Sequence, residues 1–397
     1  MAGIDLPRVR HDTPGVVHVA HFNNAGAALP TRPVLDAMTD HLWLEARVGG
    51  YEAAAIRREA LDRFYDVAAT LVGGRPDQIA FTDNATRAWD LGFYGVSLGE
   101  GDRILVSKSE YASNVIAMLQ VAARTGASIE VVPDDEHGQL DVDALADLLD
   151  PRVKLVAAVH VPTQGGLVNP AEAIGTVLRG SDALYLLDAC QSTGQLPIDV
   201  EAIGCDVLCV TGRKFLRGPR GTGFLWVSDR ALDVIEPPVL DLFGASWEGD
   251  RRFEVRGDAR RFELWEVGVA AKLGLVAALD YALDLGLEAI EARVVDLAGQ
   301  IRARLGALHG VWVHDRGERR CGIVTFTIDG WDAADVSQAL REQQINTSVT
   351  AVTGARWDLA ERGLDRMVRA SVHYYNTNQE LDRLVDAVAD LSVRPSR

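Results

Sequence analysis

The stretch DVLCVTGRKFLRGPRGTGFLWV, residues 206–227, decides how the rest of the chain is read. It opens on an apolar run, DVLCVT (206–211), and closes on another, GFLWV (223–227), and both have the composition of buried strands. The connector 212–222 is too short for a helical crossover, so the two runs are expected to pair antiparallel. It carries Arg213, Lys214 and the glycine-rich turn Gly218-Pro219-Arg220-Gly221-Thr222-Gly223. Taken alone, a loop lysine is most often a solvated charge, and such a glycine-rich run is most often only a turn.

Upstream, five more apolar runs alternate with helical patterns. QIAFT (78–82), RILVS (103–107), SIEVV (128–132), VKLVAAVHV (153–161) and ALYLLD (183–188) read as strands. Helices are expected from Asn84 to Val96, from Ala112 to Arg124, near 142–149 and near 170–179. The pattern predicts an α/β fold: a mostly parallel seven-stranded sheet with helices on both faces. Downstream, helices from Glu266 to Leu285 and from Leu287 to Leu308 are expected, then GIVTFTI (322–328), a helix at 332–343, MVRASV (367–372) and a last helix from Gln379 to Leu391. These form a smaller α+β unit. The expected organisation is an N-terminal arm (1–20), a large domain (21–261) and a small C-terminal domain (262–397), with 244–261 as a polar inter-domain or subunit-contact stretch.

Composition narrows the function classes. With 48% hydrophobic and 24% charged residues, the 397-residue chain has the balance of a soluble globular protein. A formal charge of −17 argues against a nucleic-acid partner. No apolar stretch is long enough to span a membrane, and MAGIDLPRVRHDTPG has no apolar core, so a cytoplasmic location is expected. Cys190, Cys205, Cys209 and Cys321 show no metal-ligand spacing and read as reduced thiols.

The strand ends carry the chemistry. Open α/β sheets bind ligands beyond the carboxyl ends of their strands. There the sequence places Asp188, with Gln191 three residues on, Thr211 before Lys214, and Ala85 and Thr86 at a helix start. A buried carboxylate keeps a pyridine nitrogen protonated, and a nearby lysine forms an imine and then serves as a base. A helix N-terminus suits a phosphate. On successive strand ends, these residues predict a pyridoxal 5'-phosphate (PLP) site with Lys214 as the Schiff-base lysine.

TGRKFLRGPRGTGFLWV and LLDACQSTGQLPIDV resemble the lysine and Asp-x-x-Gln segments of the class V aminotransferase family, a branch of PLP fold type I. VRASVHYYNTNQELDRLVDAV resembles its C-terminal motif, and HFNNAGAALP (21–30) its N-terminal active-site loop. The resemblance implies that Asp188 pairs with the ring nitrogen and Gln191 bonds the ring hydroxyl region. It implies cofactor contacts from Ala85, Thr86, Thr163, Thr211 and Arg213, the last standing where a histidine beside the phosphate is common. It places Arg369 on the substrate α-carboxylate and Asn24, Ala25 and Gly26 at the substrate. It also implies a homodimer with shared active sites.

Three positions depart from the family pattern. Glu110-Tyr111 puts tyrosine where the family's cysteine desulfurases have histidine on the cofactor face, so Tyr111 is a candidate to stack on the ring and donate a proton. The stretch NTSVTAVTGARWDLAERG (346–363) has no cysteine where the desulfurases carry their nucleophile, which argues against persulfide chemistry. Glu266 stands where relatives have a threonine reaching the neighbouring subunit's phosphate. The expected reaction starts with loss of the Cα proton to Lys214. Similarity to the isopenicillin-epimerase-like and cysteine-conjugate C–S lyase branch favours β-elimination from an S-substituted cysteine, in sulfur-containing secondary metabolism. An aminotransferase, an epimerase, a decarboxylating oxidative deaminase and a non-catalytic binding protein of the same fold stay open as alternatives. Trp247 and the loop 346–358 are further candidates for side-chain selection.

Overall fold

Strands buried on both faces divide their side chains between two cores, and the sheet here does so residue by residue. Leu105, Val156, Leu187 and Leu208 enter one apolar cluster. Their neighbours Ile104, Leu155, Leu186 and Cys209 enter the other. Each buried leucine of this kind contributes about 1.5–3 kcal/mol. That two-sided burial is why the runs read as continuously apolar instead of alternating.

The computed structural model describes residues 3–393, so the first two residues of the expected arm lie outside the described residues. The chain begins with helix α1 (Leu6–His11), strand β1 (Ala20–His21) and helices α2 (Arg32–Val48), α3 (Gly50–Ile56) and α4 (Arg58–Val72). The main sheet follows through β2 (Ile79–Thr82), α5 (Ala85–Tyr94), β3 (Arg103–Ser107), α6 (Ala112–Thr125), β4 (Ser128–Val132), α7 (Val142–Leu148) and β5 (Val153–Val159). It continues with α8 (Ala171–Leu178), β6 (Leu184–Asp188), α9 (Val200–Ile203), β7 (Val207–Thr211), β8 (Gly223–Val227) and α10 (Asp229–Val234).

The strand order is β2-β8-β7-β6-β5-β3-β4. Strand β8 runs antiparallel to both neighbours, and the other pairs are parallel. This is the expected seven-stranded sheet, including the antiparallel β7–β8 pair. Because β8 alone is reversed, β2, β3, β5, β6 and β7 all end at one edge.

Beyond a hairpin, β9 (Ala245–Trp247) with β10 (Phe253–Val255), come two long helices, α11 (Val269–Leu285) and α12 (Leu287–Gly306). Helix α11 starts three residues later than the expected Glu266, since Glu266 to Gly268 stay extended before it. It packs on α2 and α4. The remainder is β11 (Val311–Val313), β12 (Ile323–Ile328), α13 (Ala333–Glu342), β13 (Ile345–Asn346), β14 (Ser348–Ala351), α14 (Arg356–Glu361), β15 (Arg366–Ser371) and α15 (Asn378–Ser392). Four of these strands form an antiparallel sheet of order β11-β12-β15-β14. Strand β1 joins β13 in parallel, and Asn23 bridges to Ser371, so the segment after the arm is laid against this smaller sheet. Among the described residues no helix is long and apolar enough to cross a membrane.

One buried arginine ties these parts to the lysine loop. Arg217, three residues beyond Lys214, adopts a left-handed backbone (φ +62°), a conformation that costs a non-glycine residue about 1–3 kcal/mol. Its side chain holds it there. Nε donates to Leu29 O (2.8 Å), Nη1 to Tyr374 Oη (2.9 Å) and Nη2 to Thr13 Oγ1 (2.6 Å), with the guanidinium 4.7 Å from the Tyr375 ring centroid. Gly194 serves the same loop from the other side. A Cβ at that position would lie 2.5 Å from the carbonyl carbon of Phe215, so only glycine permits this approach.

Candidate active site

The common strand edge gathers the predicted residues around one cleft of about 620 Å³, counting space open to solvent. Ala85, Thr86, Tyr111, Thr163, Asp188, Gln191, Thr211, Arg213 and Lys214 all line it. So do Asn84, at the expected helix start, and Asn114 and Cys190, which were not among the expected site residues. Asn114 lies one helical turn beyond Tyr111, and that spacing put both on one face of α6. Cys190 sits between Asp188 and Gln191 in sequence.

Asp188 ends β6 and is 6% exposed. Its Oδ1 accepts from Cys190 N (2.9 Å) and its Oδ2 from Asn114 Nδ2 (3.0 Å), and no cation among the described residues pairs with it. Lys214 lies in the loop after β7, on the same cleft. Burial brings its amine down to about 8, reinforced by Arg213 and Arg369 and opposed by Cys190 and Asp188. An amine in that range has a substantial neutral, nucleophilic fraction near neutral pH.

Helix α5 starts at Ala85, with Asn84 as its cap: Asn84 Oδ1 accepts from Arg87 N at 2.8 Å. Its first turn reaches the cleft through Ala85 and Thr86, and a helix start is a setting that suits a phosphate. Gln191 Nε2 donates to Ala25 O (3.2 Å) and Thr163 Oγ1 (3.4 Å), while its Oε1 is buried with no partner. A buried orphan acceptor on the cleft wall is what a ring hydroxyl or imine would satisfy.

Arg369, on β15, does not join the cleft lining itself but reaches its wall. Nη1 donates to Thr163 O (2.9 Å) and Oγ1 (2.7 Å), and Nε donates to Ser348 Oγ (3.1 Å). Burial, with Arg213 nearby, lowers its guanidinium to about 10. It has no carboxylate partner among the described residues, so its charge is left for a ligand. Arg213 is half-buried, and its Nη1 donates to Gly26 O. The side chain is thus directed at the N-terminal loop, a reach histidine lacks.

The loop 24–26 meets the cleft through its backbone. Ala25 O accepts from Gln191 and Gly26 O from Arg213. The Asn24 side chain is fully buried away from the cleft lining, where Nδ2 donates to Ser371 O (2.7 Å) and Oδ1 accepts from Tyr375 Oη. It anchors the loop that presents Ala25 and Gly26. Trp247 is 80% exposed in the β9–β10 hairpin and does not line the cleft. Glu266 lines a second cleft, between α2–α4 and the start of α11, with Tyr51, Arg58 and Trp265.

The loop 346–363 brings no thiol, as the sequence indicated. Cys190 is the one cysteine on the cleft, and its sulfur lies 3.7 Å from Cys209 O. Burial and Asp188 push its thiol well above the usual range, so it is not held as a nucleophilic thiolate.

The family model for class V aminotransferases matches residues 20–384. The chain belongs to the class V aminotransferase family. Members are pyridoxal-phosphate enzymes of fold type I, and the orphan acceptor, the unpaired arginine and the helix start described above fit that cofactor. A probable cysteine desulfurase of Xylella fastidiosa is 31% identical over 97% of this chain and 95% of its own length. One from Methanothermobacter thermautotrophicus is 28% identical over 97% of both chains. The apo structure of a cysteine desulfurase from Thermococcus onnurineus superposes with a TM-score of 0.90, 25% identity and 99% coverage of both chains. A lysine-to-alanine mutant of C-DES, with glycine covalently linked to its PLP cofactor, gives a TM-score of 0.86 at 25% identity, covering 96% and 99% of the two chains.

Proposed function

We propose that this class V aminotransferase-family chain is a PLP-dependent lyase that cleaves the C–S bond of an S-substituted cysteine, releasing pyruvate, ammonia and the sulfur-bearing fragment. The similarity to cysteine desulfurases supports C–S chemistry on a cysteine-derived substrate. The observation that carries the finer reading is the loop 346–363, which offers no thiol to receive sulfur.

Bound at this site, PLP supplies an electron sink for a carbanion at the substrate Cα. The protein's own groups do the rest. Arg369, its plane fixed by Thr163 and Ser348, donates to the α-carboxylate through Nη2, the nitrogen that bonds nothing among the described residues. With the carboxylate so held, Lys214, the neutral amine on the cleft wall, would take the proton from Cα. Departure of the β-sulfur as thiolate or sulfenate then needs no acceptor cysteine, and Tyr111, which lines the cleft, supplies a proton. Asp188 holds the ring nitrogen protonated and Gln191 bonds the ring hydroxyl region. The first turn of α5, with Thr86 and Thr211, takes the phosphate.

Incubation of the holoenzyme with a panel of cysteine S-conjugates is expected to yield pyruvate stoichiometric with released thiol. Absence of pyruvate from every conjugate, with persulfide formed from free cysteine, refutes this reading. Product mass spectrometry with solvent-deuterium incorporation at Cα separates elimination from transamination, epimerisation or decarboxylation.

The same reading includes a homodimer with shared sites. Support comes from the exposed apolar residues Leu42, Trp43, Tyr51 and Trp265 around the second cleft, an unusual surface for a monomer. Sedimentation is expected to give twice the chain mass, and a fully active monomer overturns it.

A further inference from the structure

Behind Asp188 lies a second buried carboxylate that the proposed chemistry does not use. Glu110 is 2% exposed, in the turn between β3 and α6. Its Oε1 accepts from Asn114 Nδ2 (2.8 Å) and from Tyr111 N (3.0 Å), and its Oε2 lies 3.2 Å from Ser107 Oγ. The same Asn114 Nδ2 donates its other hydrogen to Asp188 Oδ2 at 3.0 Å. One amide group therefore joins two buried carboxylates, and one carboxylate grips both the bridge to Asp188 and the backbone of Tyr111.

We propose that Glu110 works as a neutral acid, a positioning residue that aims Asp188 and the Tyr111 ring together at the cofactor. This rests on the assignment of Asp188 to the ring nitrogen.

Two features of the site support the neutral form. No arginine or lysine contacts Glu110 among the described residues, so a charge there would be unpaired. Asp188, joined to it through Asn114, faces it from β6, and neither Lys214 nor Arg213 forms an ion pair with Glu110 among the described residues. Burial, and then the charge of Asp188, raise the Glu110 carboxyl to about 7. The acceptor pattern indicates where the proton sits. Oε1 already receives two donors and Oε2 one, from Ser107 Oγ, so the proton of the neutral acid goes on Oε2 and turns that 3.2 Å bond round, onto a hydroxyl that already accepts from Val159 N (3.3 Å). With that arrangement every polar atom of Glu110 is satisfied without ionisation.

Glutamine copies this form: its carbonyl takes Asn114 and Tyr111 N, and its amide donates to Ser107. The test compares Glu110→Gln with Glu110→Ala. By equilibrium dialysis, Glu110→Ala is expected to weaken PLP binding by about tenfold, the loss of one well-formed buried hydrogen-bond set, with Glu110→Gln recovering most of it. A second measurement needs no cofactor. The folded carboxyl titrates near 7 and the unfolded one near 4.5. Stability from the protonated form is thus complete below 4.5 and lost as pH rises through 7. The thermal midpoint of the apo wild type, relative to Glu110→Gln, is expected to fall between pH 5 and about 7.5. A Glu110→Gln variant as impaired as Glu110→Ala, or a midpoint difference independent of pH, overturns the proposal. Uptake of PLP by the wild type tests the Asp188 assignment separately, and its absence overturns both.

Discussion

Lys214→Ala is expected to abolish the visible absorbance of protein-bound PLP and to lower turnover by at least about 10⁴-fold, because one side chain serves as covalent anchor and as base. The protein should stay folded. The Lys214 side chain makes no hydrogen bond among the described residues, and the loop is held by the Arg217 side chain, by Arg217 N on the Lys214 carbonyl (2.9 Å), which alanine keeps, and by the close approach at Gly194. Burying the amine also costs stability. Its pKa falls from 10.5 to about 8, so the folded state binds fewer protons than the unfolded state between those values. Apo wild-type stability therefore rises with pH over that window, by at most about 3 kcal/mol, and the alanine variant lacks the rise. Cofactor uptake gives a third readout, since only the neutral amine attacks the aldehyde. The uptake rate should climb as pH approaches 8 and level off above it. A non-catalytic binding protein of this fold would show none of the turnover loss. Absorbance, turnover and pH-dependent melting of the single variant check all of this.

The sheet and the residues at its edge were legible in the sequence for a common physical reason. A strand buried on both faces must be apolar throughout, so a polar residue at its end, such as Asp188 or Thr211, stands out against its neighbours. The helices between residues 31 and 77 were not read; α4 does carry a buried stripe, Phe64 to Val72, and it is α2 and α3 whose side chains hide them. Helix α2 buries only Val34 and His41, while Leu42, Trp43, Tyr51 and Ile56 of α2 and α3 point outward. A chain whose apolar residues face away from its own core gives no clean helical stripe for a monomer-based reading to find. Arg213 illustrates a different limit. Sequence order placed it beside Lys214, but whether its guanidinium turns toward α5 or toward Gly26 is decided by how the N-terminal loop folds back, hundreds of residues away at Ser371 and Tyr375. Glu110 and Asn114 escaped for the same reason. Their meaning lies in a bond to Asp188 that spacing along the chain does not encode.

Arg369→Lys is the more discriminating substitution, because it keeps the charge and removes the geometry. Lysine cannot span Thr163 and Ser348 and still turn a further N–H group, as Arg369 Nη2 does, to a carboxylate. The expected result is a drop in kcat/KM of about 10²–10³-fold, equivalent to roughly 3–4 kcal/mol, with PLP absorbance retained. Were Arg369 only a structural ion-pair residue, the change would appear in the melting temperature and leave kcat/KM alone. Its contacts already speak against that, since they are neutral oxygens and its charge has no acidic partner among the described residues. The variant also tests why Cα–H cleavage is preferred. If the fixed Arg369 guanidinium is what orients the carboxylate, a lysine would let the bound amino acid rotate. Bonds other than Cα–H would then be cleaved more often. The ratio of decarboxylated product to pyruvate should rise in Arg369→Lys even as total turnover falls. An unchanged ratio would show that something other than Arg369 sets the substrate's orientation, and the side-chain end of the cleft, near Tyr111 and the Ala25–Gly26 backbone, would then be the part of the site that selects the bond.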